Sequence, residues 1–281
     1  TFYGITLSYN DEPRECLTRV RRVMNERLNM SMQADNDDRY PASFNPLTRT
    51  PKGLPTSWAH ASGMNKLNAI LSAPDPQALV QSMPSDDAYF LVHDIGISSA
   101  LELLPLLSEE QWQGFIDLSG WEKDQINPKG LQEWLSACTA VSHDTAIKMV
   151  QSVEPEYLTT WIIKHAQIFD KDLDPDVIPD AFDVLPSPDG EFYMVIEVDH
   201  PMTQVILAAL RTLYAADLEG ARRVLKACIH ENASPLEETC FQFRVGRMAD
   251  LGFPAFDDAI EVFATTGYTC LNSYTISFTD D

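Results

Sequence analysis

Basic side chains are scarce in this chain: 20 Lys and Arg stand against 42 Asp and Glu in 281 residues, a formal charge of −22. Binding to nucleic-acid phosphates needs clustered Lys and Arg, so that function class is excluded. Cysteine is sparse too. Cys16, Cys138, Cys228, Cys240 and Cys270 are odd in number, irregular in spacing and without a C-x-x-C pair. Neither a disulfide framework nor a zinc ribbon follows from that, and reduced thiols in a cytoplasmic protein are expected. Long apolar runs are missing. The best candidate, Val205 to Leu210, falls far short of the roughly 18 residues needed to span a bilayer, so no membrane insertion is expected. No signal-peptide pattern opens the chain. The glycine fingerprints of nucleotide sites and the G-x-S-x-G nucleophile elbow are absent, and no cofactor is expected.

What the chain does contain is enough apolar material for a packed core, 44% of its residues, interrupted by 18 prolines and 12 glycines. Its charge is divided unevenly. Residues 1–60 hold eight basic and seven acidic side chains, leaving 12 basic and 35 acidic for residues 61–281. That asymmetry points to regions with different partners. An acidic surface solubilises the protein and repels anionic polymers, and it can also attract cations or a basic partner.

Residues 1–10 alternate like a strand, and Pro13 opens a helix to about Met30. Four prolines between 41 and 55 mark an arm or linker. From Met64 to Phe169 short helices follow one another behind recognisable starts. Asp75-Pro76, Asn127-Pro128 and Glu154-Pro155 place a polar residue before a first-turn proline, Glu154 being the poor cap of the three. Ser108 with Gln111 forms a capping box, Ser85 and Ser142 offer further caps, and Gly96 fits a helix stop. Helices this short must stack on neighbours, as in an α-solenoid or a compact helical array. Phe192 to Val198 reads as a buried strand, led by a Pro188-Asp189-Gly190 turn. Helices then resume over Pro201 to Ala216, Leu218 to Asn232 behind Asp217, Pro235 to Leu251 behind Ser234, and Ala255 to Ala264. Tyr268 to Thr279 reads as a closing strand.

The expected fold is therefore mainly α: stacked short helices, α-solenoid-like, with a small β element from the termini and near residues 191–198. Three regions are expected: 1–60, a strand–helix segment with a Pro-rich arm; 61–180, the helical array; and 181–281, a strand with further helices and a terminal strand.

Few constellations carry chemistry. The run from Asp170 to Asp176 resembles the start of a calcium loop, but Pro175 stands where the loop needs glycine and Ala181 where it needs glutamate. A solvated loop without a specific metal is expected there. Glu197, Asp199 and His200 crowd the end of the strand and are candidates for an acid/base pair or a metal. The structural alternative is that Asp199 caps the helix begun by Pro201. Cys228, His230 and Cys240 lack a fourth zinc ligand and a standard spacing. Arg244, Arg247 and Asp250 follow one another at three-residue intervals on one helix face. They can tie that helix to neighbouring carboxylates, or offer an anion or partner site.

The segments GRMADLGFPAFDDAIEVF and LNAILSAPDPQALVQSMPSDDAYFLVHDIG, with the Asp117 to Trp121 stretch and its following EKD, resemble an uncharacterised bacterial family, domain-of-unknown-function family 6178, over about residues 64–264. The resemblance implies a mostly helical cytoplasmic protein, carries no activity, cofactor or catalytic residue, and implies that this chain is a fragment or a short version of longer relatives. The short helices of residues 67–118 are also similar in rhythm to the superhelical cytosolic domain of some bacterial magnesium channels, where acidic helix faces respond to magnesium. Three functions follow as expectations. One is a non-catalytic helical scaffold or protein-interaction module with a protein partner. Another is an acidic regulatory domain binding divalent cations. The last is an enzyme with a site near Glu197, Asp199 and His200.

Overall fold

The computed structural model describes Trp58, residues 61–254 and Asp258. The expected terminal strands, the helix after Pro13, the proline arm and all but Asp258 of the helix expected over 255–264 lie outside the described residues. Residues 61–251 belong to one compact unit, and it is mainly helical. Helices α1 (Gly63–Leu71), α2 (Pro76–Gln81) and α3 (Ser85–Ile95) lead through two short 3-10 turns into α4 (Glu109–Ser119). A two-residue hairpin, β1 (Trp121–Glu122) and β2 (Gln125–Ile126), separates α4 from α5 (Pro128–Val141), α6 (His143–Ser152) and α7 (Pro155–Ile163). Three strands follow, β3 (Gln167–Asp170), β4 (Phe182–Pro186) and β5 (Phe192–Glu197). Helices α8 (Thr203–Ala216), α9 (Leu218–His230) and α10 (Ala233–Asp250) complete the unit.

Local chemistry sets most boundaries. Asp75, Asn127, Ser142 and Asp217 each accept a first-turn backbone N–H, which satisfies a donor the helix cannot. Ser108 and Gln111 make the full capping box. The Gln111 amide then donates to the carbonyls of Val80 and Met83 at 2.8 and 2.9 Å, so the cap of α4 also holds the end of α2. Gly96 ends α3 at φ +90°, where a side chain would be strained.

Several boundaries differ from the expected ones. Ser85 is the first residue of α3 behind Pro84, and its hydroxyl donates to the Glu110 carbonyl instead of capping. Ser234 lies inside α10, whose N-cap is Asn232. Pro235 fits the first turn because no residue there needs a donor. The expected solvated loop over 170–189 contains β4. Strands β3 and β4 flank β5 in an antiparallel sheet of order β3-β5-β4, with Ile168 opposite Met194 and Val184 opposite Val195. This sheet spans both sides of residue 180. The stacking of helices is also not confined to sequence neighbours, because α10 returns to α4 and α7.

The core is aromatic where α3, α4 and α5 meet. Tyr89, Trp112, Phe115 and Trp134 meet edge-on or tilted with ring centroids 5.0 to 6.0 Å apart. Each such pair contributes about 0.5–1.5 kcal/mol beyond the burial of its area. The Trp134 indole N–H donates to Ser119 at 2.9 Å, so one of the three fully buried tryptophans also fixes the end of α4.

Close approach at Gly130 has a measurable consequence. A Cβ there would stand 2.6 Å from Gly120 Cα and from the Ser119 carbonyl oxygen, both backbone atoms. Gly130→Ala should therefore cost about 1–3 kcal/mol in urea unfolding. Gly246→Ala, in α10 with open space around it, should add about 0.5–1 kcal/mol through helix propensity. Equal effects at the two positions would contradict this packing.

Candidate functional site

Helix α10 carries the most connected polar cluster. It is 18 residues long, yet Cys240 and Met248 are its only buried residues. Polar ties hold it in place of a broad apolar stripe. Arg247 Nε donates to Asp117 Oδ2 at 2.6 Å and its Nη2 to Oδ1 at 2.9 Å. The same guanidinium reaches both carboxylate oxygens of Glu154, Nη2 to Oε2 at 3.1 Å and Nη1 to Oε1. Gln113 joins the two acids, donating to Asp117 Oδ1 at 3.1 Å and accepting the Glu154 N–H at 2.9 Å. Arg244 Nε donates to the Asp117 carbonyl at 2.7 Å, across 127 residues of sequence. Its guanidinium carbon lies 5.6 Å from the Trp121 ring centroid, within cation–π range.

The electrostatics balance: two guanidinium groups meet two carboxylates. Asp117 is 2% exposed and Arg247 about a third, so the pairing offsets the cost of taking that side chain out of water. Burial works to lower the pKa of Arg247, but hydrogen bonds and charge from Asp117 and Glu154 outweigh it and raise the value further. Burial lowers that of Arg244, with Asp117 opposing the shift. A second acid on α10, Glu237, accepts the Ile126 N–H at 2.6 Å and the Lys164 ammonium at 2.5 Å. The helix is thus fastened to α4, to the hairpin and to both ends of α7. Asp250 is exposed at its end and takes no part.

Sequence reasoning missed Asp117, Glu154, Gln113 and Glu237. Two signals were available. Asp117 sits among Trp112, Phe115 and Ile116, which are fully buried, so the register of α4 turns it inward. Glu154 occupies a capping position for which glutamate is poorly suited. It makes no cap bond there, and its side chain serves Arg247.

Glu197, Asp199 and His200 are not among any metal-holding group of the described residues. Glu197 and Asp199 are exposed. Asp199 does not cap α8: it takes a left-handed φ of +61°, and the helix begins at Thr203. His200 organises that entry, its Nδ1 accepting the Met202 N–H at 3.1 Å and its carbonyl accepting the Thr203 hydroxyl at 2.9 Å. In the acidic run, Asp174 accepts the Asp176 N–H, and Lys171 pairs with Glu191. Cys228 Sγ lies 3.8 Å from the Thr159 carbonyl. Burial pushes the thiols of Cys138, Cys228 and Cys240 up to about 12, which leaves them unreactive. Among the described residues no group of three or more His, Cys, Asp and Glu is placed to hold a metal ion. No helix among them is long and apolar enough to cross a membrane.

Asp189 forms a second cluster in the turn between β4 and β5. Its Oδ1 accepts from the Ser187 hydroxyl at 2.6 Å and the Tyr214 hydroxyl at 3.0 Å, and its Oδ2 from Arg222 Nε at 2.9 Å. Burial acts to raise its pKa, but these bonds prevail and bring it down to about 2.

The profile of a family of unknown function, DUF6178, matches residues 43–273. The chain belongs to that family. The match extends further at both ends than the 64–264 resemblance. No curated protein and no solved structure matches the chain. What a DUF6178 protein does must come from its own side chains.

Two predictions come from these clusters. Arg247→Ala strips Asp117 and Glu154 of their counter-charge and should cost about 3 kcal/mol, at the lower end for breaking a buried pair because Arg247 keeps contact with water. Arg247→Lys should recover only part, since an ammonium cannot span two carboxylates. A loss below about 1 kcal/mol in denaturant titration would show an exposed, weakly coupled pair. For Asp189 the folded pKa is depressed below its ordinary 3.8 to about 2. Its stabilisation is complete above the ordinary value and lost as pH falls through the folded one. Asp189→Asn should therefore flatten the acid limb of thermal stability between about pH 4 and pH 2. An unchanged limb would contradict the cluster.

Proposed function

We propose that this DUF6178 chain is a non-catalytic helical scaffold, a protein-interaction module whose contact surface is one end of the three-stranded sheet. The observation that carries this reading is that three large apolar side chains in and beside β4 and β5 are left in water. Phe182 opens β4 at 43% exposure, Val177 lies in the 3-10 turn before it at 68%, and Val198 follows β5 at 42%. The Val198 N–H donates to the Ala181 carbonyl, which brings these chain segments together. Large apolar side chains left in water are what an interaction surface is built from.

The same segments are acidic. Asp176, Asp180, Asp183, Glu197 and Asp199 are all exposed. A partner with an apolar centre and a basic rim would complement them, and steering by the acidic field would speed its association. The residues first considered for acid/base chemistry thus belong to the rim. Arg244 and Arg247 serve as internal fasteners. Unreactive thiols and a reducing environment fit together, and the module is assigned to the cytoplasm.

The test uses the whole chain. Phe182→Asp and Val198→Asp should release a stoichiometric partner that the unaltered chain retains through size-exclusion chromatography, with melting temperature unchanged within a few degrees. Association with the unaltered chain should weaken as salt rises. Retention of the partner by both variants would move the surface elsewhere. A turnover activity abolished by His200→Ala would replace the scaffold reading with an enzymatic one.

A further inference from the structure

Strand β4 lies at an edge of the three-stranded sheet, with β5 as its only strand neighbour among the described residues. Backbone bonds just beyond its two ends fix which way each residue turns. The Val198 N–H donates to the Ala181 carbonyl, and the Ser187 N–H donates to the Phe192 carbonyl. In an antiparallel pair such bonded positions alternate with unbonded ones. Asp183 and Leu185 therefore bond to Ile196 and Met194 of β5, while Phe182, Val184 and Pro186 turn their backbone groups away from it. Proline, which has no N–H to give, stands at an outward position, where no ladder bond is lost.

The outer edge that results is short of donors. The Phe182 N–H is taken by the Pro179 carbonyl at 3.0 Å, and Pro186 has none. One N–H, that of Val184, and three carbonyls, those of Phe182, Val184 and Pro186, have no hydrogen-bond partner among the described residues. A second copy of this chain does not complete such an edge. Two β4 strands paired antiparallel about Val184 would set Phe182 opposite Pro186, neither with an N–H to offer, and only the bonds between the two Val184 residues would form. Charge opposes self-pairing as well: five Asp and no Lys or Arg stand between Lys171 and Ser187. The strand that fits is one with its N–H groups free and with positive side chains.

We propose that β4 takes up an extended basic segment of a partner protein as a fourth, antiparallel strand, which rests on the reading of this sheet as an interaction surface and gives that surface its mode of binding. Three alternate N–H groups of the added strand donate to the carbonyls of Phe182, Val184 and Pro186, and its central carbonyl accepts the Val184 N–H. Its side chains opposite Phe182 and Val184 share their face of the sheet and are apolar, since Phe182 is 43% exposed there. The side chains between them fall on the face of Asp183, which is exposed, and are basic.

The probe is the peptide Lys-Val-Lys-Val-Lys-Val-Lys, acetylated and amidated, titrated into the full chain. Binding at millimolar concentration or tighter is expected, with the Val184 amide newly protected from hydrogen exchange. N-methylation of the valines removes the donors that face β4 and should weaken binding at least about tenfold. N-methylation of the lysines, whose N–H groups face away, should be tolerated. Glutamate in place of every lysine should weaken binding at least about tenfold. Val184→Pro should abolish peptide binding with the melting temperature unchanged within a few degrees, because the lost N–H has no partner and an edge tolerates proline. The methylated peptides keep the test open on the unaltered chain if that variant fails to fold. No binding of the lysine peptide, equal binding after valine methylation, or equal binding of the glutamate peptide would each overturn strand addition. Release of a co-purifying partner by both Phe182→Asp and Val184→Pro supports it. Release by Phe182→Asp alone would overturn strand addition and leave the interaction surface standing, and retention by both variants would overturn the two together.

Discussion

Arg247 bonds two carboxylates from separate parts of the chain, and the position of the longest described helix depends on it. Helix α10 buries too little apolar surface to be placed by the hydrophobic effect alone. Its place is set by directional bonds: Arg247 to Asp117 and Glu154, Arg244 to the Asp117 carbonyl and the Trp121 ring, Glu237 to Ile126 and Lys164. Directional bonds specify one register and one orientation, where an apolar stripe would tolerate sliding. A buried ion pair gives little net stability over well-packed apolar residues. Its consequence here is geometric. It closes the array by joining α10 to a helix more than a hundred residues earlier.

The same bonds give several motifs of chemical interest in the sequence a structural use. The arginines, the inward aspartate and the capping glutamate are mutually satisfied. Of the described cysteines, Cys138 and Cys240 are buried and Cys228 is half-buried, and burial raises the pKa of all three thiols. His200 holds a helix entry. Large apolar side chains left in water, Val177, Phe182 and Val198, stand in and beside β4 and β5.

Much of the helical layout was legible because its signals are local. Asp75, Ser108, Asn127, Ser142 and Asp217 each announce a helix start through a bond within three residues. Strands β3 and β4 were not legible. Each is short, β4 is largely exposed, and both exist because β5 offers them a partner, a non-local cause that acidic composition disguised. The hairpin at 121–126 was missed for a related reason: a two-residue strand has no period to read. Arg244 and Arg247 were visible as a pair on one face. Their partners were not, because the contact spans 127 residues for Arg244 and 130 and 93 for Arg247. Asp117 betrays itself only once α4 is known to be buried around it.

A double-mutant cycle between Arg247 and Asp117 tests the closure most directly. Arg247→Met leaves Asp117 and Glu154 without their counter-charge, Asp117→Leu leaves Arg247 with Glu154 alone, and the double variant puts apolar side chains in contact while Glu154, partly exposed, keeps access to water. If these two residues hold α10 in place as a unit, the double variant should be far more stable than the sum of the single losses implies, with a coupling energy of about 2 kcal/mol. Losses that add to within about 0.5 kcal/mol would mean that the two residues act independently, and that something other than this pair fixes the helix.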